Sequence, residues 1–129
     1  MNYSINKKLS GKTFEQAVEW VTEQLKTEGF GIVSEINIKA TLKQKINVDF
    51  RNYLILGACN PRFAHEAIKE EDKIGVFLPC NVVVQEHENG EIEVSAMDPI
   101  IAMSAVKNPI MVDFAKEIRE KLYNVIEKL

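Results

Sequence analysis

The dipeptide Asn89-Gly90 stands between two β-branched runs, Val82 to His87 and Ile92 to Ala96, and constrains the fold more than any other feature. Asparagine and glycine tolerate the positive backbone angles of a two-residue type I′ turn, whose twist matches the strands it joins. Residues 80 to 97 are therefore predicted to form a hairpin, and the chain must contain antiparallel sheet. In that register Val83 and His87 share a face with Ile92, Val94 and Ala96, while Glu86 and Glu88 lie near Glu91 and Glu93. We read the carboxylates as a solvated face rather than a cation site, because charged residues belong overwhelmingly at the surface.

The segments on either side supply partners for that hairpin. Residues 2 to 7 alternate apolar Tyr3 and Ile5 with polar neighbours, the pattern of a half-buried strand. Thr13 and Gln16 form a capping-box pattern, and Phe14, Ala17, Val18, Val21 and Leu25 recur at helical spacing up to Gly29. The stretch from Ile32 to Ile38 reads as a strand with Ile32, Ile36 and Ile38 on one face, followed by a short helix over 40 to 47. Tyr53 to Cys59 is almost continuously apolar, which predicts an interior strand covered on both faces.

Asn60-Pro61, Asp98-Pro99 and Asn108-Pro109 each put a cap acceptor before a first-turn proline. They open a helix over 61 to 71, a short helical turn, and a C-terminal helix. The last carries the apolar stripe Met111, Ala115, Ile118, Leu122, Val125, Ile126 and Leu129, which suits packing across a sheet. Gly75 to Leu78 is an apolar connector. The order is β-α-β-β-β-β-α with short helical insertions.

Composition narrows the class. A chain of 129 residues is long enough to bury one core, and 46% hydrophobic with 27% charged residues is ordinary for a globular domain. Residues 1 to 129 are read as a single domain. The formal net charge of −3 argues against nucleic acid, whose backbone calls for a basic face. No segment has the length of a membrane span and Met1 to Ser10 lacks a signal-peptide core, so no membrane partner and a cytoplasmic location are expected. In that compartment Cys59 and Cys80 are expected to be reduced thiols.

Larger motifs carry a resemblance. The run Ile38 to Lys45, then Tyr53 to Pro61 (YLILGACNP), then Leu78 to Val84 (LPCNVVV) and Asp98-Pro99, closely resembles the domain-of-unknown-function family numbered 302, over almost the whole chain. The resemblance implies an α+β fold with helices packed on one face of a single curved antiparallel sheet, similar to the TATA-box-binding-protein-like class, and a homodimer. It implies no activity, since a fold class hosts many functions.

The two Cys-Asn elements mark where a site would lie. Cys59-Asn60 and Cys80-Asn81 fall where apolar strands meet turns. Asn60 and Asp98 precede helix starts, where free backbone N–H groups and the helix dipole favour an anion. Arg62, in the first turn, is locally unfavourable unless it pairs with a carboxylate such as Asp98 or with a bound anion. The first reading is thus a small binding domain whose small polar or anionic ligand meets Cys59, Asn60, Arg62, Cys80, Asn81 and Asp98. The bland alternative makes Asn60 and Asp98 simple caps and Arg62 a solvated side chain.

The cysteines admit three readings: buried small hydrophobes, a redox pair or reactive thiol, or metal ligands. The thiol reading gives a thiol-dependent enzyme or redox or metal sensor in which Cys59 or Cys80 works with His65. The metal reading adds His65 and Asp98 to the cysteines in a zinc site, though the paired close ligands of a zinc ribbon are lacking. His65 and His87 read equally as ordinary hydrogen-bonded or exposed side chains. A third function is a protein-interaction module using a sheet face or the C-terminal helix. No Ser-His-Asp order, phosphate loop, His-Glu-x-x-His or Cys-x-x-Cys motif is present.

Overall fold

Five antiparallel strands make one open, curved sheet, in the spatial order β1-β5-β4-β3-β2. The computed structural model describes residues 2–129. Its strands are β1 (Ser4–Leu9), β2 (Gly31–Asn37), β3 (Tyr53–Cys59), β4 (Cys80–Glu86) and β5 (Ile92–Met97). The helices are α1 (Phe14–Thr27), α2 (Ile38–Ile46), α3 (Pro61–Glu70), α4 (Pro99–Met103) and α5 (Pro109–Glu127), with a 3-10 turn at Ile74–Phe77. Besides α1, the connections between strands hold α2 and α3, helices of 9 and 10 residues.

The long helices lie together on one face of the sheet. In α1, Thr13 Oγ1 accepts from the Gln16 backbone and Gln16 Oε1 accepts from the Thr13 N–H, closing the predicted capping box. Ala17, Val21 and Leu25, fully buried, meet Leu122, Val125 and Ile126 of α5 over Leu56, Val82, Val84, Ile92 and Val94 of the sheet. At the ends of α5 and α4, Asn108 and Asp98 cap as expected, accepting from Ile110 and Ile100.

The hairpin forms, with a different turn. The His87 N–H donates to the Glu91 carbonyl at 2.9 Å, and the Gly90 N–H to the His87 carbonyl at 2.9 Å. Gly90 has φ +84°, while Asn89 is not among the described residues with positive φ. This is a three-residue loop with a left-handed glycine, in place of the two-residue type I′ turn. The extra residue slips the register by one: Val82 faces Ala96, Val84 faces Val94 and Glu86 faces Ile92. Val82 and Val84, rather than Val83 and His87, therefore join the core. Glu93 leaves the expected acidic face to pair with His87, Oε1 to Nε2 at 3.0 Å, and Glu86 accepts from Asn52.

The same physics corrects β2. A bulge between Ile32 and Ser34 breaks its alternation, so Ile32 faces Ala58 on the core side while Ile36 faces Ile55 on the open side. Ile36 is 48% exposed, and Ile38 has already entered α2, capped by the Asn37 side chain. Nor is β3 covered on both faces along its length. It is interior to the sheet, but only around Gly57 is its second face closed. There an added Cβ would lie 2.8 Å from Pro79 Cγ and against Ser34 Oγ, so only glycine fits without displacement.

Candidate functional site

The two Cys-Asn elements end neighbouring strands. Ala58 lies opposite Cys80 in the β3–β4 ladder, which brings Cys59 and Cys80 to the same end of the sheet. Beyond them the chain leaves in opposite directions, β3 into α3 and the 3-10 turn through Leu78-Pro79 into β4. Over this end lie α3, α4 and the first half of α5, whose buried side chains form a cluster separate from that at the centre of the sheet. Between them is a cavity of about 60 Å³ lined almost wholly by apolar groups.

Its lining is rich in sulfur. Cys59, Cys80, Met97, Met103 and Met111 all border it, and the chain holds only two cysteines and four methionines. These are all the sulfur-bearing residues after Met1, although Met97, opposite Ser4 in the ladder, also borders a groove on the other face of the sheet. Met103 and Met111 are buried, Cys59 and Cys80 partly so. Phe63 and Phe114, in edge contact with centroids 6.4 Å apart, form another part of the wall. Phe77, 38% exposed, borders the cavity from the 3-10 turn, beside Val76 at 81%.

Burial pushes the Cys80 thiol up to about 11, and the neighbouring Cys59 adds to the rise. Cys80 is therefore protonated at neutral pH, the opposite of an activated nucleophile. Both cysteines are free thiols.

Asn60 is the one polar side chain in the lining apart from the thiols. It makes no side-chain cap bond to α3, contrary to the capping role its place before Pro61 predicts. Its amide lies instead over Gly29, where a Cβ would approach Asn60 Nδ2 to 3.1 Å. Gly29, with φ +87°, closes α1 in the left-handed region, so the glycine serves both the helix end and the asparagine.

The remaining expected site residues lie elsewhere. Arg62 is exposed and has no ion pair among the described residues, and Asp98 binds Arg119 instead, Oδ2 to Nε at 3.1 Å. Asn81 is exposed on the other face of the sheet, where it borders an open groove of about 310 Å³ with Tyr3, Tyr53, Val83 and Gln85. His65 is exposed on α3 and is not among the cavity residues. Among the described residues no three His, Cys, Asp or Glu side chains are grouped to hold a metal, so the expected zinc set of Cys59, Cys80, His65 and Asp98 does not assemble. The structure thus brings Cys59, Asn60 and Cys80 together and separates Arg62, Asn81, Asp98 and His65 from them.

Sequence reasoning missed the methionines. Met97 ends β5, Met103 ends α4 and Met111 opens α5. Of these, only Met111 has a legible role, as one member of a core stripe.

An α+β domain with an open five-stranded antiparallel sheet, long helices on one face, and a small apolar cavity at the sheet end is the class defined by this geometry. The chain belongs to the family described as domain of unknown function DUF302, whose model matches residues 5–129. A crystal structure described as an uncharacterized conserved protein DUF302 from Bacillus stearothermophilus superposes with a TM-score of 0.90. It is 27% identical and aligns over 99% of this chain and 98% of that one. No curated protein matches the chain.

Proposed function

We propose that this protein is a small-ligand-binding domain and that the ligand seats in the cavity bordered by Cys59, Asn60 and Cys80. The observation that carries this reading is a partly open apolar cavity bordered by a single polar amide side chain, Asn60, the kind of lining a small-molecule site has. At about 60 Å³ the cavity is several times what one water needs and well short of an engineered cavity that takes benzene. The ligand, or the part of it that enters, is therefore a few atoms in size. The lining favours an apolar or polarisable group over the polar or anionic ligand suggested by Arg62 and Asp98. Each of those side chains has a setting that needs no ligand.

The thiol-enzyme alternative has less support, because the buried Cys80 thiol is protonated and His65 is not beside it. A cytoplasmic setting, where thiols stay reduced, agrees with the free state of both cysteines. No described helix is long and apolar enough to cross a membrane.

Xenon tests the cavity directly, since it enters dry apolar cavities and makes no specific polar bonds. Under xenon pressure, the methyl resonances of Met103 and Met111 are expected to shift saturably, and Ala64→Leu, which fills the space, to abolish the shift. Shifts that stay linear, scatter over the surface or survive Ala64→Leu would remove this reading.

A second observation supports a homodimer. The open sheet face exposes Val33 at 64% and Ile36 at 48%, with Ile55 and Val83 half-buried beside them, and contiguous apolar surface of this kind suits association. Light scattering coupled to size exclusion checks this: a dimer that Ile36→Lys converts to monomer is expected, and a monomer at high concentration removes the dimer from the reading.

A further inference from the structure

We propose that the ligand of this cavity is an uncharged single-chain amphiphile such as an alkanol, whose alkyl end enters beside Phe77 and whose head stays in water. This assignment rests on the cavity reading above and names its ligand class. Two observations carry it: the size and chemistry of the space, and the surface at its mouth.

The space takes a slim apolar end. Ala67, Ile74, Met103 and Met111, members of one buried cluster, border it from α3, the 3-10 turn, α4 and α5. No lining side chain carries a carboxylate, ammonium, guanidinium or imidazole group, so a charged ligand group inside would be buried without a partner. At about 60 Å³ the space is too small for an aromatic ring, which leaves a chain of a few methylenes. Met103 and Met111 are unbranched and flexible, and adapt to such a chain.

The mouth is apolar as well. Among the lining residues Phe77 alone is exposed, which puts the opening at the 3-10 turn. Val76 stands next to it at 81% exposure, and Ile68, at 45%, lies on α3, which packs against that turn. Large apolar side chains at the rim of an apolar cavity extend the binding surface outward, and a chain lying across them takes them out of water. A ligand that ended at the mouth would leave them there. Charge decides the head and its source. Glu66, Glu70, Glu71 and Asp72 outnumber Lys69 and Lys73 around the rim, and both lysines are paired, with Glu66 and Asp72. Arg62 is at the other end of α3. An anionic head, or the anionic surface of a bilayer, is repelled by such a rim, which selects an uncharged amphiphile taken from solution.

The test is titration of the protein with 1-butanol, 1-hexanol and 1-octanol, read on the methyl resonances of Met103 and Met111. Saturable shifts are expected, with affinity rising about 4-fold per methylene, the worth of one CH2 taken out of water. Val76→Asp changes a side chain that is already at the surface, so the variant folds. It is expected to weaken octanol by about 10-fold, the loss of one or two buried methylenes, and butanol much less, since only the longer chain reaches the rim. Octanoate is expected to bind more weakly than octanol. No saturable shift, affinity independent of chain length, or equal losses of butanol and octanol in Val76→Asp would overturn the proposal. Octanoate binding more tightly than octanol would overturn the uncharged head, and sedimentation with phosphatidylcholine–phosphatidylserine vesicles, lost in Val76→Asp, would overturn the soluble source. The xenon experiment separates the two failures. Saturable xenon binding without alkanol binding leaves the cavity reading standing and removes only the amphiphile, while failure of both removes both.

Discussion

The helical layer has two halves that are built from different materials. At the centre of the sheet, α1 and α5 pack Val21, Leu25, Leu122 and Val125 against Leu56, Val84, Ile92 and Val94, all between 0% and 1% exposed. At the Cys-Asn end, a separate cluster of Ala67, Ile74, Met103, Met111 and Ala115 borders a cavity. Branched aliphatic side chains with few rotamers interlock to the density of a crystal, and this fixes one arrangement. Methionine and alanine do not: one is flexible, the other small, and space is left between them. The difference teaches that the first half holds the fold and the second is free to hold something else.

That contrast can be broken by measurement. Leu122→Ala removes a fully buried side chain from the interlocked half and is expected to cost about 3–5 kcal/mol in denaturant unfolding. A cost near that of a surface substitution would show that the centre is as loosely packed as the end.

A smaller effect comes from Cys80, on the seam between the halves. Its thiol is raised from 9.0 to about 11 in the folded protein, so the unfolded chain loses this proton first as pH rises. The stability it confers is whole below pH 9 and falls between pH 9 and 11, by about 2–3 kcal/mol in all. Unfolding curves for the wild type and Cys80→Ala over this range are expected to differ in slope, the variant being flatter. Parallel curves would place Cys80 in water.

The smallest effect sharpens the comparison from the other side. Met111→Leu is a volume-conserving change next to a cavity, and it is expected to cost under ~1.5 kcal/mol although Met111 is 2% exposed. A loss as large as that of Leu122→Ala would mean that burial alone, irrespective of neighbours, decides the cost.

Much of the helical layer was legible in the sequence. The capping box at Thr13 and Gln16, the caps at Asp98 and Asn108, and the stripe from Met111 to Ile126 are local patterns and stand as read. The errors have one physical origin. Strand side chains alternate with period two, so a single inserted residue inverts every assignment beyond it. The loop glycine Gly90 inserts one in the hairpin, and the bulge after Ile32 inserts another in β2.

The second half was legible only in part. The meeting of Cys59 with Cys80 follows from the ladder between β3 and β4, and the sequence supplied both strands without their register. Asn60 has the pattern of a cap yet serves Gly29, a contact between residues 31 positions apart that no local rule reports. Met97, Met103 and Met111 belong to three elements, and no periodicity connects them.

The edge strand β1 pairs only with β5, Ser4 opposite Met97 and Leu9 opposite Ile92. Its hydrogen-bonding partner thus does not exist until more than eighty further residues have been added to the chain. The hairpin and the β3–β4 pair join near neighbours and close early, whereas β1 must wait, and contacts between distant positions slow folding. A growing chain therefore carries β1 unpaired until β5 has emerged, and only then can Ile5 and Leu9 join the core they share with α5.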